Sequence, residues 1–365
     1  MKGKGVMGQL WSGIRNAPCR FSRQERANFA SCDTRLHENV PAWQARSQGR
    51  HPITEAIRKG IYYISLAALV LPAFVAAGCD RRGNTGDRVE LVIGSPGHSS
   101  GKFYRPRGIA FDAASGIICV VDWDGRVQKF TTNGEFRASW IMPDVRKGKP
   151  EDLCFAKNGN VLVADTHYSR VVKYSPDGKY IGSFGSYGTA DGQFIYPVGI
   201  SCDRDGNIYV AEYGKSDRIQ KFDARGKFLL SWGSFGSGPG QFQRPSGIDV
   251  TADNLVYVAD AVNHRIQVFG TDGKLARIIG KQGEGPGEFR YPYDVAVSGG
   301  AVYVLEYGNQ RLQKLSPDGK AIGAFGVPGT GDGCFAFPWR CTVMNGKVVV
   351  SDTENGRVII AGGGF

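Results

Sequence analysis

The sequence predicts an all-β chain in which one four-stranded unit is repeated six times around a ring. Three observations predict it: a proline that recurs at a near-constant spacing, four short β-type runs between successive prolines, and a last unit that is one run short. The prolines are Pro106, Pro150, Pro197, Pro245, Pro292 and Pro338, at spacings of 44, 47, 48, 47 and 46 residues. Five of the six end the pattern G-x-F-x-x-P, as in Gly240-Phe242-Pro245 and Gly287-Phe289-Pro292. Before Pro150 the basic stretch Arg146-Lys147-Gly148-Lys149 stands instead.

The fourth unit shows the strands in order. Gly247-Ile248-Asp249-Val250 is the first run, and Asp253-Asn254 turns into Val256-Tyr257-Val258-Ala259-Asp260. After Asn263-His264 comes Arg265-Ile266-Gln267-Val268-Phe269, and Asp272-Gly273 turns into Leu275–Ile279. The runs are rich in Val, Ile, Tyr and Phe, the separators are hairpin dipeptides, and no helical period competes. Four antiparallel strands in such a unit make one propeller blade, so the prediction is a six-bladed β-propeller of four-stranded antiparallel blades. An open ring would leave two sheet edges unpaired. The last unit ends near Ile360 after three runs, and the missing strand lies ahead of the first unit. Residues 88–106 match residues 227–245 at eight of nineteen positions. Arg88–Ile93 is therefore expected to be the outer strand of the last blade, giving a propeller over residues 88–361.

The composition agrees with a folded, turn-rich body. The chain has 365 residues, 41% hydrophobic and 22% charged, which excludes wholesale disorder. Its 52 glycines are about twice the usual share, and no G-X-Y period runs through them, which excludes collagen. The net charge is +11. Residues 1–79 hold 11 Lys/Arg against 4 Asp/Glu, and the remaining 286 residues hold 34 against 30. The basic character thus belongs largely to the N-terminal segment and argues weakly for nucleic-acid binding by the body.

That segment divides in two. Residues 1–57 lack a sustained apolar period and read as a disordered leader, or as an over-extended start of the reading frame. Arg58-Lys59 then precedes a largely apolar run of seventeen residues from Ile61 to Ala77. A basic flank, an apolar stretch and small residues form an export signal. The end of the run, Ala76-Ala77-Gly78-Cys79, resembles a bacterial lipobox, which implies lipidation of Cys79; Ala76 departs from the Leu or β-branched residue preferred there. The alternative is an uncleaved anchor helix, for which the length just suffices. Residues 58–79 are thus the signal or anchor, 80–87 a short linker. Both readings expect a cell-envelope, membrane-anchored protein with its body outside the cytoplasm. Of eight cysteines, five fall in the body: Cys119, Cys154, Cys202, Cys334 and Cys341. With no C-x-x-C pair, a zinc ribbon or RING site is excluded, and one disulfide of unspecified pairing is open.

The repeats resemble the NHL-repeat family. The resemblance covers Arg88 to Ile360, and the name-giving pair stands at Asn263-His264. The pattern V-x-V-A-D…R-I-Q-x-F recurs as Val258-Ala259-Asp260 with Arg265 and, in part, as Val163-Ala164-Asp165 with Arg170. The resemblance implies a propeller and leaves function open, because relatives include RNA-binding domains of tripartite-motif proteins, an amidating lyase, and extracellular sensor domains of bacterial kinases. That lyase carries zinc histidines just after the blade-opening proline. Here those positions are Arg107, Glu151, Val198, Ser246, Tyr293 and Trp339, none a histidine.

One acid and one arginine recur in every unit: Asp122/Arg126, Asp165/Arg170, Glu212/Arg218, Asp260/Arg265, Glu306/Arg311 and Asp352/Arg357. A catalytic site needs a few unlike groups, not six copies of one pair, so these read as structural links between the second and third strands. His98, His167 and His264 fall in loops of different units, and zinc needs three or four ligands around one ion. No hydrolase motif, phosphate loop or dinucleotide fingerprint is present. The reading assigns no catalytic residue, metal or cofactor.

The face formed by strand-one starts and the loops after each repeated acid is the candidate binding surface. It is expected to carry Trp123, Tyr213 and Tyr307, with Tyr293 and Trp339 nearer the axis. Arg105, Arg107, Lys147, Lys149, Arg244, Arg290 and Arg340 should form a basic rim, with Arg107 and Arg340 placed to pair with an anion. The bland alternative is that the aromatics plug the channel and the charges are a solvated rim. The leading function is a non-catalytic, extracytoplasmic binding or scaffold protein for an envelope protein, peptide or glycan. A metal-dependent lyase or lactonase on the propeller is the first alternative. Single-stranded RNA binding, which needs a cytoplasmic body, is the second.

Overall fold

The structure is a computed structural model and describes residues 88–365 except Lys147 and Lys215. The leader, the signal or anchor segment, Cys79 and the 80–87 linker lie outside the described residues. Six four-stranded antiparallel sheets follow one another. After β1 (Val89–Ile93), blade 1 holds β2 (Pro106–Asp112), β3 (Ile117–Asp122), β4 (Arg126–Thr131) and β5 (Phe136–Ile141). Blade 2 holds β6 (Asp152–Phe155), β7 (Val161–Asp165), β8 (Arg170–Tyr174) and β9 (Tyr180–Phe184). Blade 3 holds β10 (Tyr196–Cys202), β11 (Ile208–Tyr213), β12 (Arg218–Phe222) and β13 (Phe228–Trp232). Blade 4 holds β14 (Pro245–Val250), β15 (Leu255–Asp260), β16 (Arg265–Gly270) and β17 (Leu275–Ile279). Blade 5 holds β18 (Pro292–Ser298), β19 (Ala301–Glu306), β20 (Arg311–Leu315) and β21 (Ala321–Phe325). A short parallel pair, β22 (Val327–Pro328) and β23 (Cys334–Phe335), leads into β24 (Cys341–Met344), β25 (Lys347–Asp352) and β26 (Arg357–Gly362) of blade 6.

β1 completes blade 6. It pairs antiparallel with β26, setting Val89 opposite Ala361, Val92 opposite Ile359 and Ile93 opposite Val358. The edge that β26 would otherwise expose is thereby covered by the start of the propeller, the closure the sequence predicts.

The core is not one cluster but six, each between neighbouring blades. One gathers Val121, Val127 and Met142 of blade 1 with Leu153, Val163 and Val172 of blade 2. The last gathers Phe103 and Ile118 of blade 1 with Val349 and Val358 of blade 6. Alternation along each strand therefore serves two neighbours, which is why the middle strands are apolar on both faces, as in Val161–Asp165, buried throughout.

The linker before each blade except blade 2 is locked from below. Its phenylalanine (Phe103, Phe194, Phe242, Phe289 or Phe335) is fully buried. The glycine at the linker's start makes room: Gly233 has φ +97°, and a Cβ there would lie 2.6 Å from the Phe242 ring. The repeated acid and arginine hold the linker from the side. In blade 4, Arg265 Nε donates to Asp260 Oδ2 at 2.8 Å, and its other nitrogens donate to the carbonyls of Ser237, Gly238 and Gln241. Gln267 donates to the Gln241 carbonyl and accepts from Gly240 N–H. Blades 3 and 5 repeat the arrangement with Glu212/Arg218/Gln220 and Glu306/Arg311/Gln313. Blade 2 is different. Its linker is the basic stretch without G-x-F-x-x-P, and Arg170 Nη2 has no hydrogen-bond partner among the described residues.

A chain begun at Gly94 lacks β1 and exposes β26. It should lose cooperative unfolding and associate through that edge, whereas a chain begun at Asp87 should melt in one transition and remain monomeric. Thermal denaturation with light scattering compares the two.

Candidate functional site

Two rings of residues line the channel where the inner strands begin. The first follows the blade-opening prolines: Arg107, Glu151, Val198, Ser246, Tyr293 and Trp339. The second lies one residue deeper: Gly108, Asp152, Gly199, Gly247, Asp294 and Arg340. Three glycines narrow the second ring, and a Cβ on Gly108 would lie 2.7 Å from the Asp152 backbone. The three charged residues fill what is left.

Arg340 is the centre of this second ring. The sequence placed it on the rim for pairing with an anion, but it is only 1% exposed. Its Nη1 donates to Ser246 Oγ at 3.1 Å and the Tyr293 carbonyl at 2.9 Å, and its Nη2 donates to the Val198 carbonyl at 2.6 Å. Nε stands 3.3 Å from Asp152 Oδ2. Burial works against the guanidinium charge, but Asp152, Asp294 and Glu151 outweigh it and raise the Arg340 pKa.

Asp152 and Asp294 also stitch neighbouring blades. Asp152 Oδ2 accepts the N–H of Ile200 at 3.2 Å, and Asp294 Oδ2 accepts that of Cys341 at 2.7 Å. One layer further on, Ser201 Oγ accepts the N–H of Val250 and Asp249 Oδ2 accepts that of Val297. Burial raises all three carboxyls above the ordinary range, Asp249 to about 6. These acids line a cavity of about 230 Å³ below the Arg340 layer, together with Ser201, Cys154 and Cys341.

Above that layer the mouth is filled. Arg107 is buried, bonded to Glu151, and held between the rings of Trp123 and Trp339, each 4.1 Å from its guanidinium carbon. Burial lowers its pKa, against the opposing pull of Glu151. Tyr293 stacks on Tyr307 at 4.5 Å and meets Trp339 edge-on at 4.9 Å. Phe337 extends the cluster from Tyr307. Arg244 lies over both Tyr213 and Tyr293, and Tyr213 packs on Tyr196. The space left among Tyr213, Arg244, Ser246, Tyr293 and Trp339 is about 10 Å³, room for about one water.

The five predicted aromatics thus lie on one face, four of them in a single contact network with Arg107. Trp123, Tyr213, Tyr307 and Trp339 keep partial exposure, while Tyr293 is buried. Thr166 and Thr353, the small residues that alternate with the aromatics, donate to the carbonyls of Pro197 and Pro106 and tie each blade to the next. On the rim, Arg105 pairs with Glu354 at 2.8 Å and Arg290 faces Glu284 at 3.5 Å. Lys147 lies outside the described residues. The six repeated arginines all bond their acids, at 2.6 to 2.8 Å. The histidines are dispersed: His98 pairs with Asp124, His167 accepts from Lys149 N–H, and His264 accepts from Tyr291 N–H. Among the described residues no three His, Cys, Asp or Glu side chains stand together as metal ligands. Sequence reasoning missed Asp152, Asp249 and Asp294. The signal for two of them was the second residue after each proline, where three glycines, two aspartates and one arginine stand.

Removing the guanidinium leaves two buried carboxyls without their cation. Arg340→Met should cost about 3–5 kcal/mol, and adding Asp294→Asn should restore part of it; urea unfolding reads both. The same acids set a pH dependence. Their folded pKa values lie above the unfolded ones, so the folded chain holds protons that the unfolded chain releases. Their contribution is fully present below the unfolded carboxyl range and is lost as pH rises. The urea midpoint should therefore fall between about pH 4 and pH 6 through Asp249 and further through Asp294, and Asp294→Asn should flatten the upper part.

Residues 242–269, which run from the blade 4 linker through Asn263-His264 to the end of its third strand, match the family model described as NHL repeat. No curated protein sequence matches the chain. Among solved structures, a streptogramin B lyase superposes with a TM-score of 0.55 at 16% identity, covering 76% of this chain and 99% of that one. A gluconolactonase from Xanthomonas campestris gives 0.54 at 12% identity, over 75% and 96% of the two chains. A protein of unknown function from Bacteroides thetaiotaomicron gives 0.56 at 17% identity, over 76% and 73%. These likenesses concern the fold. With one NHL repeat matched in blade 4 and five further units built on the same plan, the chain is a six-bladed β-propeller that carries an NHL repeat.

Proposed function

We propose that the protein is a non-catalytic binding or scaffold protein that receives a large partner on the face carrying Trp123, Tyr213, Tyr307 and Trp339. The observation that carries this reading is the filled mouth. Small-molecule sites are concave and hold about 300–1,000 Å³, whereas about 10 Å³ is free here. The cations that could have met a small anion are already engaged, Arg107 by Glu151 and Arg340 by Asp152 and three blades. What remains is a rigid, half-exposed aromatic shelf with a charged rim, which suits a partner that lies across it. Tyr187 and Phe235, in the linkers before blades 3 and 4, are 71% and 57% exposed and add apolar surface for a partner. The apolar run at residues 58–79, read from the sequence as an export signal, supports a membrane-tethered body in the cell envelope, which makes an envelope protein, peptide or glycan the partner class.

The enzyme reading has one observation in its favour. The cavity of about 230 Å³ under Arg340 carries three carboxyls with raised pKa values, the kind of group that serves as a general acid or base. Each of the three also accepts a backbone N–H that joins two blades, which gives it structural work.

Capture from a detergent-solubilised envelope fraction tests the proposal. The wild-type chain should retain a discrete component, and Trp123→Ala/Tyr213→Ala/Tyr307→Ala should weaken that retention by at least about tenfold, as loss of aromatic hot spots does. Equal capture by a triple variant with a cooperative melt would overturn the reading.

A further inference from the structure

The five cysteines of the body are free thiols, but two of them meet across a blade boundary. Cys154 lies on β6, the inner strand of blade 2, and Cys202 ends β10, the inner strand of blade 3. Their sulfurs stand 3.4 Å apart. The two strands are already tied by Asp152, which accepts the Ile200 N–H at 3.2 Å, so the contact rests on a fixed register. Cys154 is buried and lines the channel cavity, whereas Cys202 is partly exposed. Burial raises the Cys154 thiol pKa well above its usual value, and the neighbouring Cys202 adds to it. The other thiols are differently placed: Cys119 sits in the apolar cluster between blades 1 and 2, Cys341 is buried beside Asp294, and Cys334 lies in the linker before blade 6.

We propose that Cys154 and Cys202 are an inter-blade oxidation site, which a low-molecular-weight disulfide converts into a cross-link between the inner strands of blades 2 and 3. Sulfurs in contact need only close to the bonding distance of about 2.05 Å. The more exposed Cys202 thiolate attacks the small disulfide, forms a mixed disulfide and releases one thiolate. Cys154 Sγ, as the thiolate, then attacks Cys202 Sγ and releases the second. The protein loses two electrons and two protons, and the small disulfide becomes two thiols. The bond closes a loop of 48 residues in sequence, spanning most of blade 2, its hairpins and the linker to blade 3. Such a loop restricts the unfolded chain and stabilises the ring against separation of these blades. The proposal is independent of the binding face, since neither thiol belongs to it.

The test uses the full chain, reduced and then incubated with oxidised glutathione. Free thiols are alkylated under denaturing conditions, and a non-reducing digest is mapped by mass. The expected result is one peptide pair joined through Cys154 and Cys202, with Cys119 and Cys341 alkylated. Oxidation should also raise Tm by about 5–10 °C, and Cys202→Ser should abolish both the link and the shift. Three results would overturn the proposal: Cys154 and Cys202 both alkylated, Cys202 carrying glutathione beside an alkylated Cys154, or either residue joined to another cysteine.

Discussion

One buried guanidinium organises the middle of this molecule. Arg340 of blade 6 reaches Asp152 of blade 2 and polar atoms of Val198, Ser246 and Tyr293 in blades 3, 4 and 5. Five of six blades are thus tied through one side chain at the point where their inner strands converge. A charge in such a place is costly unless its partners are fixed in advance. Asp152 and Asp294 supply the compensation, and the three glycines of the same ring supply the space. The arrangement is asymmetric although the repeats are not, because six equal charges could not share one axis.

That centre determines what the face above it can do. With Arg340 and Arg107 spent on internal bonds, the aromatic residues pack down on a closed floor rather than around a hole. Tyr293, Tyr307, Trp339 and Phe337 hold one another, and Trp123 is fixed through Arg107. Such a surface is set before any partner arrives, so little ordering entropy is lost on binding. The alternation of aromatic and small residues after the repeated acids follows the same logic. Thr166 and Thr353 are occupied by the joint to the next blade, and the aromatics that follow the repeated acids come from blades 1, 3 and 5.

The architecture was legible because it is periodic. Prolines and the acid–arginine pairs return once per blade, buried linker phenylalanines return in five of the six, and the short last unit located the closing strand β1. The aromatic face was legible for the same reason, as one column of the repeat. Arg340 was not read correctly, because its neighbours at the axis come from positions 47 to 188 residues away in sequence and meet only when the ring closes. Reading the second residue after each proline around the ring, rather than each blade alone, would have set Asp152 and Asp294 beside it. Asp249 and the contact of Cys154 with Cys202 carried no repeated signal at all, since each depends on the register between two particular inner strands.

The central claim is that one face of the ring engages a large envelope component. Photo-crosslinking in intact cells tests it most directly, with the reactive side chain placed at position 307 on the aromatic face or at position 205, in the turn at the opposite end of blade 3. The account predicts a discrete, macromolecular adduct from position 307 and none from position 205. Adducts from position 205 alone, or none from either with the protein folded and in place, would contradict it.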